Sequence, residues 1–168
     1  MAVTFILGGA RSGKSRRAQQ LAEAAAAQRV FIATAEALDD EMASRIERHQ
    51  LDRGTGWRTI EAPLDLTPAL REAATIGDVV LIDCLTLWLS NLMHRERDVD
   101  AAIAELVDTL RLPAELILVS NEVGLGLVPE TPLGRTFRDH QGRLNQALAA
   151  ASDRVEFVAA GLPLALKG

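Results

Sequence analysis

The stretch VTFILGGARSGKS, Val3 to Ser15, limits the folds open to this chain more than any other. Five apolar or β-branched residues predict a buried strand over Val3–Leu7, and a helical pattern from Lys14 to about Ala27 follows the glycines. Between them Gly8, Gly9, Ala10, Arg11, Ser12, Gly13, Lys14 and Ser15 spell G-x-x-x-x-G-K-S in the strand–loop–helix context this motif requires. Glycines let successive backbone N–H groups converge on phosphate oxygens, and the helix N-terminus adds partial positive charge. Lys14 is expected to reach the β- and γ-phosphates, and the Ser15 hydroxyl to bind Mg²⁺.

The rest of the chain extends this start into an α/β pattern. Arg29–Thr34, a short run at WRTIEAP ending at Pro63, Asp78–Asp83 and Glu115–Asn121 read as strands, with RVEFVAAG and LPLAL after them. Helices are expected at Asp39–Leu51, Leu85–Arg95, Val99–Leu110 and Pro132–Ala150, the last with Leu133, Phe137, His140, Leu144 and Leu148 on one stripe. Strands that are apolar on both faces and alternate with helices predict a doubly wound, mostly parallel sheet. At 168 residues and 48% hydrophobic content, 1–168 reads as one domain with a full core.

A net charge of −5 leaves no general basic surface for nucleic acid or an anionic membrane. The longest apolar run, VVLIDCLTLWLSNL, is broken by Asp83, and the opening residues are too short for a membrane span or a signal segment. The single Cys84 excludes an internal disulfide, reads as a small buried hydrophobe, and fits a reducing cytoplasm.

Two strand-end carboxylates face the edge where open α/β sheets bind ligands. Asp83, closing VVLID, is the candidate to complete a magnesium site with Ser15, a role compatible with capping the next helix. Glu122, after LILVSN, is placed to orient a water or an acceptor hydroxyl. These features suit metabolite kinases, motors and regulatory switches alike.

One of only three histidines is surrounded by arginines in SRIERHQLDRGTGWRTIEAP. Arg45 and Arg53 are four residues either side of His49, and Arg48 adjoins it, so a helix would bring positive charge to its face. Such neighbours disfavour imidazolium and keep the ring neutral, able to act as base, nucleophile or ligand. They would also hold phosphate oxygens. His94 reads as solvated near a helix end, His140 as part of an apolar stripe, and Trp57 as a core aromatic at a strand start. Gly124–Gly134 reads as a surface loop, a lid or a subunit contact. Arg135, Arg138, Asp139, Arg143 and Asn145 read as the solvated or intersubunit face of the last helix.

Taken together, GGARSGKS, ATAEALDDEMASRIERHQLDRGTGWRTIEAP, LIDCLTLWLSNL and SNEVGLGLVPETPLGRTFRDHQGRLNQALA resemble the bifunctional adenosylcobinamide kinase/adenosylcobinamide-phosphate guanylyltransferase family, over about Thr4 to Leu166. The resemblance implies a RecA-like P-loop fold and two activities. One phosphorylates adenosylcobinamide with ATP or GTP. The other moves GMP from GTP, through a guanylylated histidine, onto the cobinamide phosphate and releases pyrophosphate. By position His49 is that histidine. Gly8 to Ser15 carry over as the triphosphate site, and Ala33, Thr34, Ala35, Gln50, Leu51, Asp52, Arg53, Glu61 and Asp83 as further nucleotide contacts. A homotrimer is implied. Some relatives have two adjacent histidines where this chain has Arg48–His49, and some have glutamate at Asp83.

Overall fold

The computed structural model describes residues 1–36, 40, 43–44 and 54–168. The helix predicted over 39–51 lies outside the described residues apart from Asp40, Ala43 and Ser44, which are helical. In chain order the elements are β1 (Val3–Gly8), α1 (Lys14–Ala25), β2 (Arg29–Ala33), β3 (Trp57–Glu61), α2 (Leu66–Ile76) and β4 (Val79–Asp83). Then come α3 (Leu85–His94), α4 (Val99–Thr109), β5 (Glu115–Asn121), α5 (Pro132–Ala151), β6 (Arg154–Ala159) and β7 (Leu162–Lys167).

The strands form one sheet in the order β3-β2-β4-β5-β1-β6-β7. All neighbours are parallel except the β6–β7 hairpin. Parallel strands need coverage on both faces, and the side chains show it. Along β1 Phe5 faces one core with Leu7, while Ile6 faces the other. Along β4 and β5 the same alternation sends Val80, Ile82, Leu116 and Leu118 one way and Val79, Leu81, Ile117 and Val119 the other.

The larger core is closed by α2, α3, α4 and α5 through residues such as Leu70, Trp88, Leu106 and Leu148. Each such apolar side chain, fully buried, contributes about 1.5–3 kcal/mol of transfer free energy. The smaller core is closed by α1, whose fully buried apolar residues are Ala18 and Ala22, with the partly buried Leu21 packed against it. Small side chains let this helix lie close to the sheet, just behind the glycine loop.

Sequence periodicity passed over α2. Its Pro68 stands in the first turn, where the missing N–H removes no intrahelical bond, so proline does not end the helix there. The stripe drawn on the last helix also shifts. Leu133 is 61% exposed, whereas Gln141, Leu144, Asn145 and Leu148 make the buried face. Asn145, expected on a solvated face, is therefore an inward residue. The helix starts where it does because Thr131 accepts from Gly134 N at 3.1 Å and Pro132 takes the first helical position.

Candidate active site

The glycine loop leaves β1 at the C-terminal edge of the sheet and enters α1 at Lys14. Gly13 has φ 96°, a left-handed conformation that favours glycine. A Cβ on it would lie 3.1 Å from the Cα of Gly161. A Cβ on Gly8 would collide with the carbonyl oxygen of Val158 and with Ser12. The loop is therefore seated on the β6–β7 hairpin. That hairpin turns through Ala160 and Gly161, both at positive φ, which is the two-residue turn that suits strand twist. From that turn Gly161 N donates to Ser12 O at 2.7 Å. Nothing in the phosphate-loop motif announces this support, because it comes from the other end of the chain.

Within the loop Lys14 is 9% exposed and its ammonium donates to Gly9 O at 3.0 Å. Arg11 is exposed at φ 53°, and Ser15 is half-buried in the first turn of α1. Behind the loop Arg17 makes a bidentate pair with Glu156 of β6, both bonds at 2.8 Å. The Arg17 guanidinium holds the Glu156 carboxyl below its ordinary range. This pair anchors the start of α1 to the sheet.

Asp83 ends β4, where it stands in register with Ala33 of β2 and Val119 of β5. The next residue, Cys84, is buried as expected, and burial first, then the charge of Asp83, pushes its thiol up to about 11. The Lys14 ammonium acts on the same thiol in the opposite sense, so loop and strand end share one electrostatic neighbourhood. Thr34 is fully buried, and its hydroxyl donates to Cys84 O at 2.7 Å and accepts from Cys84 N at 3.0 Å. Asn91 of α3 donates to Thr34 O at 2.8 Å and to Pro63 O at 3.0 Å. Ala62 N donates to Ala33 O at 2.8 Å, beside the exposed Glu61.

The expected contacts Ala33–Ala35, Glu61 and Asp83 thus sit at the ends of three adjacent strands, stapled by Thr34 and Asn91. Any contact from Thr34 to a ligand would come from its backbone, since its hydroxyl is committed. Asn91 escaped sequence reasoning: both of its partners are backbone carbonyls distant in sequence. His49, Gln50, Leu51, Asp52 and Arg53 lie outside the described residues.

The other singled-out residues are ordinary. His94 is exposed with Nδ1 2.7 Å from Ser90 O, and His140 is partly buried 2.9 Å from an Arg143 nitrogen. Trp57 packs edge-on to Phe31 with Arg29 over its ring. Among the described residues no helix is long and apolar enough to cross a membrane.

A glycine loop at a strand–helix junction, beside a strand-end carboxylate in this strand order, defines a RecA-like P-loop nucleotide-binding protein. Its fold is shared with the flagellar accessory protein FlaH of Methanocaldococcus jannaschii, with a TM-score of 0.57 at 16% identity, covering 99% of this chain and 78% of that one. The family model CobU, cobinamide kinase / cobinamide phosphate guanyltransferase, matches residues 4–166, and the chain belongs to that family. It is 49% identical to the bifunctional adenosylcobalamin biosynthesis protein CobP of Pseudomonas aeruginosa, over 98% of this chain and 96% of that protein. The corresponding CobU proteins of Escherichia coli and Salmonella typhimurium are 40% and 41% identical, each over 97% of this chain and 98% of the relative.

Proposed function

We propose that this chain, as one domain, phosphorylates adenosylcobinamide with ATP or GTP and then transfers GMP from GTP to the product through His49. The observation that carries it is the phosphate loop in the family's fold, with Asp83 closing β4 two strands away in the same sheet. In the kinase step the loop amides and Lys14 hold the triphosphate, and the alcohol of the substrate attacks the γ-phosphorus. In the transfer step the neutral His49 ring bonds to the α-phosphorus as the bond to pyrophosphate breaks. An oxygen of cobinamide phosphate then bonds to the same phosphorus, and the nitrogen–phosphorus bond breaks to restore histidine. Arg45, Arg48 and Arg53, close to His49 in the sequence, are the residues that would stabilise charge on the phosphates.

The Ser15 hydroxyl and Asp83 carboxylate are hard oxygen donors suited to Mg²⁺, which keeps few protein ligands when it also binds phosphates. Bound there, Mg²⁺ would neutralise charge on the phosphate oxygens. Ala33, Thr34, Ala35, Glu61 and the segment Gln50–Arg53 complete the nucleotide contacts. The enzyme works in the cytoplasm as a homotrimer. The exposed apolar residues Leu125, Leu127, Val128, Leu162, Leu164 and Leu166 support such an assembly.

Product analysis tests the scheme. With cobinamide and ATP the wild type yields cobinamide phosphate, and added GTP carries it to cobinamide-GDP. His49→Asn stops at the phosphate. Full conversion by that variant would remove His49 from the mechanism.

A further inference from the structure

Resting on the two-step reading above, we infer that Glu122 is the catalytic base of the kinase step alone. The chemistry of the nucleophiles sets up the choice. The kinase acceptor is an alcohol, which must lose its proton as it attacks. The guanylyl acceptors differ: neutral imidazole attacks with a lone pair, and a phosphate monoester, with a second pKa of about 6, is already ionised at neutral pH. One of the three nucleophiles therefore needs a carboxylate beside it.

The sheet order decides which carboxylate that is. Glu61 ends β3, at the far edge, and Asp83 ends β4, two strands from the phosphate loop. Glu122 follows β5, the strand between β4 and β1. Its N–H donates to Gly8 O at 3.0 Å, which puts it against the first glycine of the loop. One carboxylate oxygen, Oε1, accepts from Gly124 N–H. The other accepts no hydrogen bond among the described residues. Gly124 is held in turn by Arg138, whose guanidinium donates to Gly124 O at 3.1 Å.

Beneath Glu122 the strand end is locked by buried amides. Asn121 N donates to the Thr86 hydroxyl at 2.8 Å, and Asn145 Nδ2 donates to Asn121 O at 3.1 Å. The Ser120 hydroxyl donates to Asn145 Oδ1 at 2.8 Å, and Gln141, fully buried, donates to both. Although Gln141 Oε1 and Asn121 Oδ1 are buried without a partner among the described residues, the network ties the end of β5 to α3 and α5. It fixes the backbone from which the carboxylate projects, a requirement for a base that must meet one hydroxyl.

In the step itself the alcohol oxygen forms its bond to the γ-phosphorus as the bond from that phosphorus to the bridging oxygen breaks. The free oxygen of Glu122 takes the alcohol proton, and the nucleoside diphosphate leaves with the electron pair.

Glu122→Gln keeps the Gly124 contact available and removes the base. Its kinase turnover with cobinamide and ATP is expected to fall by about 10²- to 10⁴-fold. The same variant is expected to form the GMP adduct from GTP, and to convert supplied cobinamide phosphate to cobinamide-GDP, within a few-fold of wild type. Those two guanylyl reactions also report that the variant is folded. Glu122→Asp, which keeps a carboxylate, is expected to retain more kinase activity than the Gln variant. Unchanged kinase activity in Glu122→Gln, or an equal loss of all three reactions in both variants, would overturn the assignment. If the wild type itself made no cobinamide phosphate, the two-step reading would fail instead, a separate result.

Discussion

Thr34→Val replaces a hydroxyl by a methyl of nearly the same volume at a fully buried position. The hydroxyl serves Cys84 twice, as donor at 2.7 Å and acceptor at 3.0 Å. Without it the Cys84 N–H loses its partner in the interior, a cost of about 1–3 kcal/mol, and the lost bond to Cys84 O adds about 0.5–1.5 kcal/mol. Burying the extra methyl offsets about 0.8 kcal/mol. The expected net destabilisation is about 0.7–3.7 kcal/mol. Urea unfolding should show it as a lower midpoint with an unchanged slope. Thr34→Ser keeps both bonds and loses one buried methyl, at about 1 kcal/mol. Because the clasp holds the residue after Asp83, nucleotide affinity should fall in the Val variant more than in the Ser variant. A Val variant as stable as wild type but weak in nucleotide binding would refute this, and would make the Thr34 side chain a direct ligand contact.

Gly13→Ala forces a Cβ onto a backbone at φ 96° and toward Gly161. Left-handed strain of about 1–2 kcal/mol should appear as lost folding stability, measurable as a lower urea midpoint. Glu156→Gln cuts the bidentate tie to Arg17 and should cost about 1.5–3 kcal/mol at neutral pH. The sign of its pH dependence follows from the depressed carboxyl of Glu156. Its stabilisation is present above the ordinary value of 4.5 and fades as pH falls through the lower folded value, so wild type and variant should converge in acid. A constant gap between their unfolding curves down to strong acid would contradict that linkage.

The parts of this protein legible in its sequence are those governed by local pattern. The strand–loop–helix from Val3 through α1 was readable because glycine spacing and apolar runs are short-range signals. So were β4 and β5, whose residues are buried on both faces. The strand-end position of Asp83 was readable because it closes an apolar run. What escaped was decided by partners distant in sequence. α2, with Pro68 in its first turn where proline is harmless, was not among the helices expected. Asn145 and Gln141 look polar and outward until Ser120 and Asn121 meet them. The hairpin at Gly161 carries no nucleotide motif, yet it supports Ser12 and crowds Gly13. Thr34 was picked out as part of a contact segment, and its hydroxyl turns out to bind the backbone beside Asp83.

The claim that one P-loop domain carries GMP on a histidine is tested most directly by labelled GTP. Protein incubated with α-labelled GTP should acquire one acid-labile GMP on the peptide containing His49, with release of pyrophosphate, and γ-labelled GTP should leave the protein unlabelled. His49→Asn should acquire none. Label retained in that variant, or covalent label arriving from the γ position, would contradict the account.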